Sequence, residues 1–178
     1  NLSDDENYID LVMLVTRNST CRQGHMACAI IREDCDVSLA DRLLAVTNNT
    51  SLYISGDSDN HAEINALGYA ARNGLSTYGC TAVVTMPPCK RCYGALYAAG
   101  IKRIVTTKPF LEPVRTAAEK HEIEVRVIDH AEATIRMNNM LPPTTDGDRE
   151  SIAAEREKRK QERREVKAER RQKLAVGS

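Results

Sequence analysis

The chain has 178 residues, with 25 Lys+Arg balanced by 25 Asp+Glu for a formal net charge of zero. That length suits one domain with a real core plus an appendage, and the balance excludes a uniformly basic nucleic-acid binder. No stretch approaches the ~18 consecutive apolar residues of a membrane span, and six cysteines in a chain this long are too sparse for a secreted disulfide scaffold.

The acidic N-terminal stretch NLSDDENYID lacks a signal-peptide pattern. Residues 7–17 place Ile9 and Val12, with Leu11 and Val15 beside them, on one helical face. Residues 27–31, ACAII, are short, apolar and partly β-branched, and predict a buried strand in which Cys28 is a small core residue. The acidic segment 32–41 suits an exposed hairpin connection to a second strand at 42–46. Turn formers at 48–51 open a polar loop that runs to Asn60. A helix pattern follows over 61–73, with Gly74 just past its end as a cap. Residues 81–85 predict a strand, broken by Pro87-Pro88, and 89–99 a second helix ending at Gly100. A strand at 103–106, a helix at 113–121, a fifth strand at 125–128 and a last core helix at 130–140 complete the pattern. Strands alternating with helices predict an α/β sandwich with a partly parallel sheet.

The domain is expected to span residues 1–140, followed by a linker at 141–150, where Pro, Thr, Asp and Gly cluster, and a charged helical or disordered tail at 151–178. Residues 151–173 hold ten Lys+Arg against five Asp+Glu, so that stretch is +5 and the remainder is −5. Its Glu and Arg/Lys at three- and four-residue spacings support a solvated helix rather than a packed one.

Two motifs carry chemistry. His61-Ala62-Glu63 stands at the start of one predicted helix, and Pro88-Cys89-Lys90-Arg91-Cys92 at the start of the next. Cys89 and Cys92 are three apart and share a helical face. The positive end of the helix dipole favours the thiolate form that binds metal. One His and two Cys supply three ligands to Zn2+ and leave its fourth position open to water. Glu63, two residues from His61, can reach that water without binding the metal and act as general acid and base. The 24 residues between Glu63 and Pro88 suffice for a helix, a turn and a strand, which brings the two helix starts together. This pairing, H-x-E then P-C-x-x-C, is the established signature of zinc-dependent nucleobase deaminases. The plainer reading is a structural zinc site closed by a fourth ligand, for which His25, His121 and His130 are candidates without motif spacing; such a site has no use for Glu63.

The chain resembles the cytidine deaminase-like superfamily, and within it the deoxycytidylate deaminase branch. HAEINAL is similar to that branch's zinc motif, Ser19-Thr20-Cys21-Arg22 and 27–31 to its first strand and the polar lead into it. RLLAVTNNT and GIKRIVTTKPF resemble its second strand and the strand after the cysteine helix. The likeness covers roughly residues 7–130. It implies a three-layer α/β/α fold with a five-stranded mixed sheet, a homo-oligomer between dimer and hexamer, and hydrolytic conversion of dCMP, or a 5-substituted dCMP, to the dUMP product and ammonia in the cytoplasm. Asn49 then contacts the sugar or base, Phe110 supplies an aromatic pocket wall, Ala62 and Pro88 border the substrate, and Arg22 is the phosphate candidate with Lys90 or Arg91 behind it. The chain departs from the branch at the turn Thr47-Asn48-Asn49-Thr50, where Gly-Tyr-Asn-Gly is usual, and at Phe110, where Tyr is common. The loop 51–60 is too short for the insertion that carries a second zinc site in some members. Related folds act on free bases or on tRNA, so a base or RNA substrate is the alternative, with the basic tail the only route to nucleic acid. A non-catalytic zinc-containing assembly protein is the third reading.

Overall fold

The computed structural model describes residues 1–22, 24–33 and 36–140, together with Ala154, Glu157, Lys158, Gln161, Arg164 and Glu165. Those last six positions are helical and exposed. The predicted linker at 141–150 and the rest of the tail lie outside the described residues.

Asn1–Met140 forms one compact unit. Its elements in order are α1 (Asp4–Val15), β1 (Ala27–Ile31), β2 (Leu43–Asn48), α2 (Ala62–Arg72), β3 (Thr81–Val84), α3 (Lys90–Ala98), β4 (Arg103–Thr106), α4 (Val114–Lys120), β5 (Glu124–Val127) and α5 (His130–Met140). The first helix begins three residues before the expected Asn7. Ser3 and Glu6 form a capping box, in which the Ser3 hydroxyl accepts from the Glu6 N–H and the Glu6 carboxylate accepts from the Ser3 N–H. That S-x-x-E signature satisfies two backbone donors before the apolar periodicity starts, so periodicity alone places the start too late.

The five strands form one mixed sheet in the order β2-β1-β3-β4-β5. Strand β1 is antiparallel to both β2 and β3, whereas β3, β4 and β5 run parallel. The parallel half follows from the crossovers through α3 and α4, since parallel neighbours need a long connection. Side chains of β1, β3 and β4 are almost entirely buried because helices cover both faces. Cys28, Ile30, Ala82, Val84 and Ile104 point to a layer made of α2, α3 and α4. Ala27, Ala29, Ile31, Val83 and Val105 point the other way, to α1 and α5. The three-layer α/β/α arrangement is thus the period-two alternation of each central strand, read on both faces. No described helix is long and apolar enough to cross a membrane.

Three helices end in the same way. In α2 and α3 the residue after the cap is a left-handed glycine, Gly74 at φ +64° and Gly100 at φ +80°. In each the next N–H closes on the carbonyl five residues back, Leu75 to Ala70 and Ile101 to Leu96. Helix α4 makes the same closure, Ile123 to Ala118, with Glu122 at φ 55° in the glycine position.

Helix α5 is fastened to α1 by a two-pronged ion pair. The Arg136 guanidinium donates to both Asp10 oxygens at 2.9 and 3.0 Å, and Asp10 is only 6% exposed. Arg136→Met leaves that carboxylate buried without its partner. We expect a loss of about 2–3 kcal/mol in urea unfolding, less than a fully buried pair because Arg136 keeps some solvent. A loss under about 0.5 kcal/mol, the range of an ordinary surface change, would show that the helix pair does not need the clip.

Candidate active site

His61 is the N-cap of α2 and Cys89 the N-cap of α3, each with extended backbone that turns the side chain off the helix start. Cys92 lies one turn into α3 and is buried. The His61 Nδ1 stands 3.4 Å from Cys92 Sγ and 3.8 Å from Cys89 Sγ, and the three ligand atoms all fall within 4.8 Å of one another. Around a tetrahedral zinc with ordinary Zn–N and Zn–S bonds, N and S ligand atoms stand about 3.6 Å apart. The donor set, one imidazole and two thiols, is also zinc's preferred one, so the residues present fit that ion.

Among the described residues no fourth His, Cys, Asp or Glu joins the cluster. His25 is turned to the Cys21 carbonyl, to which its Nε2 donates at 2.8 Å. His121 stacks on Tyr97 with ring centres 4.3 Å apart and meets the Tyr93 hydroxyl at 3.2 Å. His130 opens α5, whose buried Ala133 packs in the cluster on the opposite sheet face.

Glu63 sits in the first turn of α2, only 7% exposed, and lies outside the ligand triangle. Burial pushes the Cys92 thiol well above its usual range, and the charge of Glu63 and the bond with Cys89 push it further. Burial thus opposes the thiolate at Cys92, and a bound dication would favour it.

The cluster opens into a cavity of ≈ 340 Å³, within the range of small-ligand sites. His61, Glu63 and Cys89 line it where the ligand triangle stands. One wall is Gly24, Met26 and Ala27 at the lead into β1; another is Val84 to Pro87 at the end of β3; Ser58 closes a third side. No Lys or Arg is among the lining residues.

These walls come from residues that motif reading did not single out. Pro87 lines the cavity, while Pro88 is buried beside it. Phe110 packs in the core with Tyr93, Leu96 and Val114. Ala62 is fully buried at the first turn of α2, its carbonyl accepting from the Thr47 hydroxyl at 2.8 Å. Arg22 is exposed, its side chain lying over Gly56 and its N–H donating to the Gly56 carbonyl at 2.6 Å. Asn49 is wholly buried behind the Gly24–Met26 wall. The available signal for the walls was position: the segments that lead directly into β1 and out of β3 abut the motifs in any fold that brings the two helix starts together.

The profile of the family described as "Cytidine and deoxycytidylate deaminase zinc-binding region" matches residues 2–108. A deoxycytidylate deaminase of Enterobacteria phage T2 is 37% identical over 89 residues, which are 48% of this chain and 44% of that protein. A tRNA-specific adenosine deaminase of Buchnera aphidicola is 34% identical over 91 residues, 45% of this chain and 60% of that one. The chain thus spans less than half the length of the phage relatives it matches. The crystal structure of a dCMP deaminase from the cyanophage S-TIM5 in complex with dCMP and dUMP superposes with a TM-score of 0.58, at 20% identity, over 69% of this chain and 95% of that one. At that identity the likeness is one of fold.

Proposed function

Since the chain belongs to the cytidine and deoxycytidylate deaminase zinc-binding family, we propose that residues 1–140 form a zinc-dependent deaminase of a cytosine nucleotide, with dCMP or a 5-substituted dCMP as substrate. The observation that carries this is a buried carboxylate, Glu63, that lines one cavity together with His61 and Cys89 of the His61–Cys89–Cys92 triangle.

His61, Cys89 and Cys92 hold the zinc in this reading. Zinc held there would supply a water made acidic enough to give up a proton near neutral pH. Glu63 takes the proton released as that water adds to the amino-bearing ring carbon, and carries it to the adjacent ring nitrogen. The Glu63 carboxylate then takes the second proton, from the new hydroxyl on that carbon, and gives it to the amine; the C–N bond breaks, ammonia leaves and the ring keeps the new carbonyl. The apolar walls around Met26, Val84 and Pro87 exclude bulk water from these transfers. Three ligands with no fourth among the described residues favour this over a closed structural site.

A phosphate has no cation inside the cavity, so its charge must be met at the rim. Arg22 supports that role: it makes no ion pair among the described residues and is two residues from the cavity-lining Gly24. Turnover of dCMP together with silence on deoxycytidine, cytosine and a tRNA pool in an ammonia-release assay supports the nucleotide reading. Activity confined to RNA would replace it with tRNA-type editing, the reading favoured by the Buchnera relative. Arg22→Ala is expected to raise KM for dCMP by about tenfold or more, the value of a charge-assisted hydrogen bond, and to leave kcat within a factor of about two. An unchanged KM removes Arg22 from the phosphate site.

The same reading makes residues 151–178 an appendage joined by the 141–150 linker, and the enzyme a homo-oligomer. It also puts the chain in the cytoplasm, where the buried free thiols Cys21, Cys28 and Cys80 stay reduced.

A further inference from the structure

Between β2 and α2 the chain makes a closed loop. Its neck is Thr50 and Asn60, the N–H of each donating to the carbonyl of the other at 2.9 and 3.0 Å. One oxygen of Asp59, Oδ2, accepts from the N–H groups of Leu52, Tyr53 and Ile54 at 2.9, 2.9 and 3.3 Å. The bonds from Tyr53 and Leu52 hold the Asp59 carboxyl below its usual range. The Gly56 N–H donates to the Ser51 hydroxyl at 2.9 Å, and the Asp57 N–H to the Ile54 carbonyl at 3.0 Å. The side chains of Leu52, Tyr53 and Ile54 stay exposed, so these polar bonds rather than apolar packing fix the loop.

Arg22 lies on this loop. Its N–H donates to the Gly56 carbonyl at 2.6 Å. Its side chain crosses Gly56 so closely that a Cβ there would stand 2.6 Å from the Arg22 Cγ and Nε and 2.9 Å from its Cδ. Gly56 also holds φ +84°, a backbone conformation that suits glycine. The Cys21 thiol adds a bond to the Asp57 carbonyl at 3.4 Å. Two residues beyond Gly56, Ser58 lines the cavity, as does Gly24 two residues beyond Arg22. The place where Arg22 rests thus adjoins the cavity rim.

We infer that the loop 50–60 is a seat that positions the Arg22 guanidinium for the substrate phosphate, with Gly56 as the surface under its stem and Asp59 as the group that keeps that surface in shape. Both are positioning residues that act through Arg22. Holding a flexible stem in place before the substrate arrives lowers the ordering cost of binding. This deepens the reading of Arg22 as the phosphate group and rests on it for the kinetic arm of the test alone.

A double-mutant cycle in the zinc-loaded full chain tests the seat. Gly56→Ala puts a methyl where the Arg22 stem lies. KM for dCMP is expected to rise about tenfold, as for Arg22→Ala, with kcat within about twofold. In the Arg22→Ala background the stem that the methyl meets is gone, and Gly56→Ala is expected to change KM less than about twofold. A merely structural role for Gly56 raises KM by the same factor in both backgrounds, and that result, or an unchanged KM in Gly56→Ala alone, overturns the seat. Asp59→Ala is the second variant, for the case that Gly56→Ala does not fold. It frees the Leu52, Tyr53 and Ile54 amides, and hydrogen exchange there and at the Arg22 amide is expected to speed up about tenfold without substrate. Its rise in KM is expected to vanish in the Arg22→Ala background. Wild-type exchange at Arg22, or an equal rise in both backgrounds, overturns the role of Asp59. If the wild-type chain deaminates no nucleotide, or Arg22→Ala leaves KM unchanged, the proposed function or the part of Arg22 in it fails, while exchange at Arg22 still decides whether the loop holds that residue.

Discussion

Glu63→Gln is expected to abolish turnover while leaving the metal in place. The amide keeps the shape and burial of the carboxylate but cannot take a proton from water and return it to the ring. General acid–base catalysis of this kind is worth about 10²–10⁴ in rate, so kcat should fall by that factor. KM should change little, since Glu63 acts through protons moved in the transition state. Zinc content should stay near that of the wild-type chain, because Glu63 lies outside the His61–Cys89–Cys92 triangle. Metal analysis beside initial rates separates the outcomes. Joint loss of zinc and activity would give Glu63 a structural role. A fall of less than about tenfold would mean that another group moves the proton.

Cys92→Ser is expected to remove the metal and the activity together. Serine matches the thiol in size, yet its hydroxyl is a hard donor that stays protonated, whereas zinc selects thiolate and imidazole. Cys92 is also the buried member of the triangle, so no solvent-side rearrangement can replace it. Zinc per chain should fall to background after desalting. The effect on stability has a definite form. A ligand at 100 times its dissociation constant adds about 2.7 kcal/mol to the folded state, which for a domain of this size is a rise in Tm of about 5–10 °C. The wild-type chain should gain that on zinc addition and Cys92→Ser should not. Equal zinc-induced shifts in the two proteins would mean that the metal binds elsewhere.

Most of the secondary structure was readable from the chain because it is set by local chemistry. Gly74 and Gly100 end α2 and α3 as glycines able to take a positive φ, and the strands stand close to where the apolar runs place them. The α4 terminus was the exception in kind. Glu122 adopts the same left-handed cap with a side chain that gives no sign of it, because the closing bond from Ile123 to Ala118 and the burial of Ile123 impose the turn. The early start of α1 was legible as a capping box at Ser3 and Glu6, a signal that periodicity does not see.

The same division runs through the site. His61, Glu63, Cys89 and Cys92 are near neighbours in sequence, two by two, and each pair rides on one helix start; spacing and the helical turn are enough to say that each pair faces one way. The meeting of the pairs, and everything around them, depends on strand order. Because β1 pairs antiparallel with β3, the lead into β1 and the exit from β3 lie side by side at one cavity, although Met26 and Met86 are far apart in the chain. Which partners a polar side chain holds is likewise decided in space. The resemblance implies that Asn49 contacts the sugar or base, and only the fold shows that its amide is bonded to Ser19, Gly24, Met26 and Ser58. Local sequence alone determined the reactive groups, since their spacing is a property of a single helical turn. Tertiary structure decided the walls, the rim and the fate of each amide, because those are set by contacts between segments that no local rule relates.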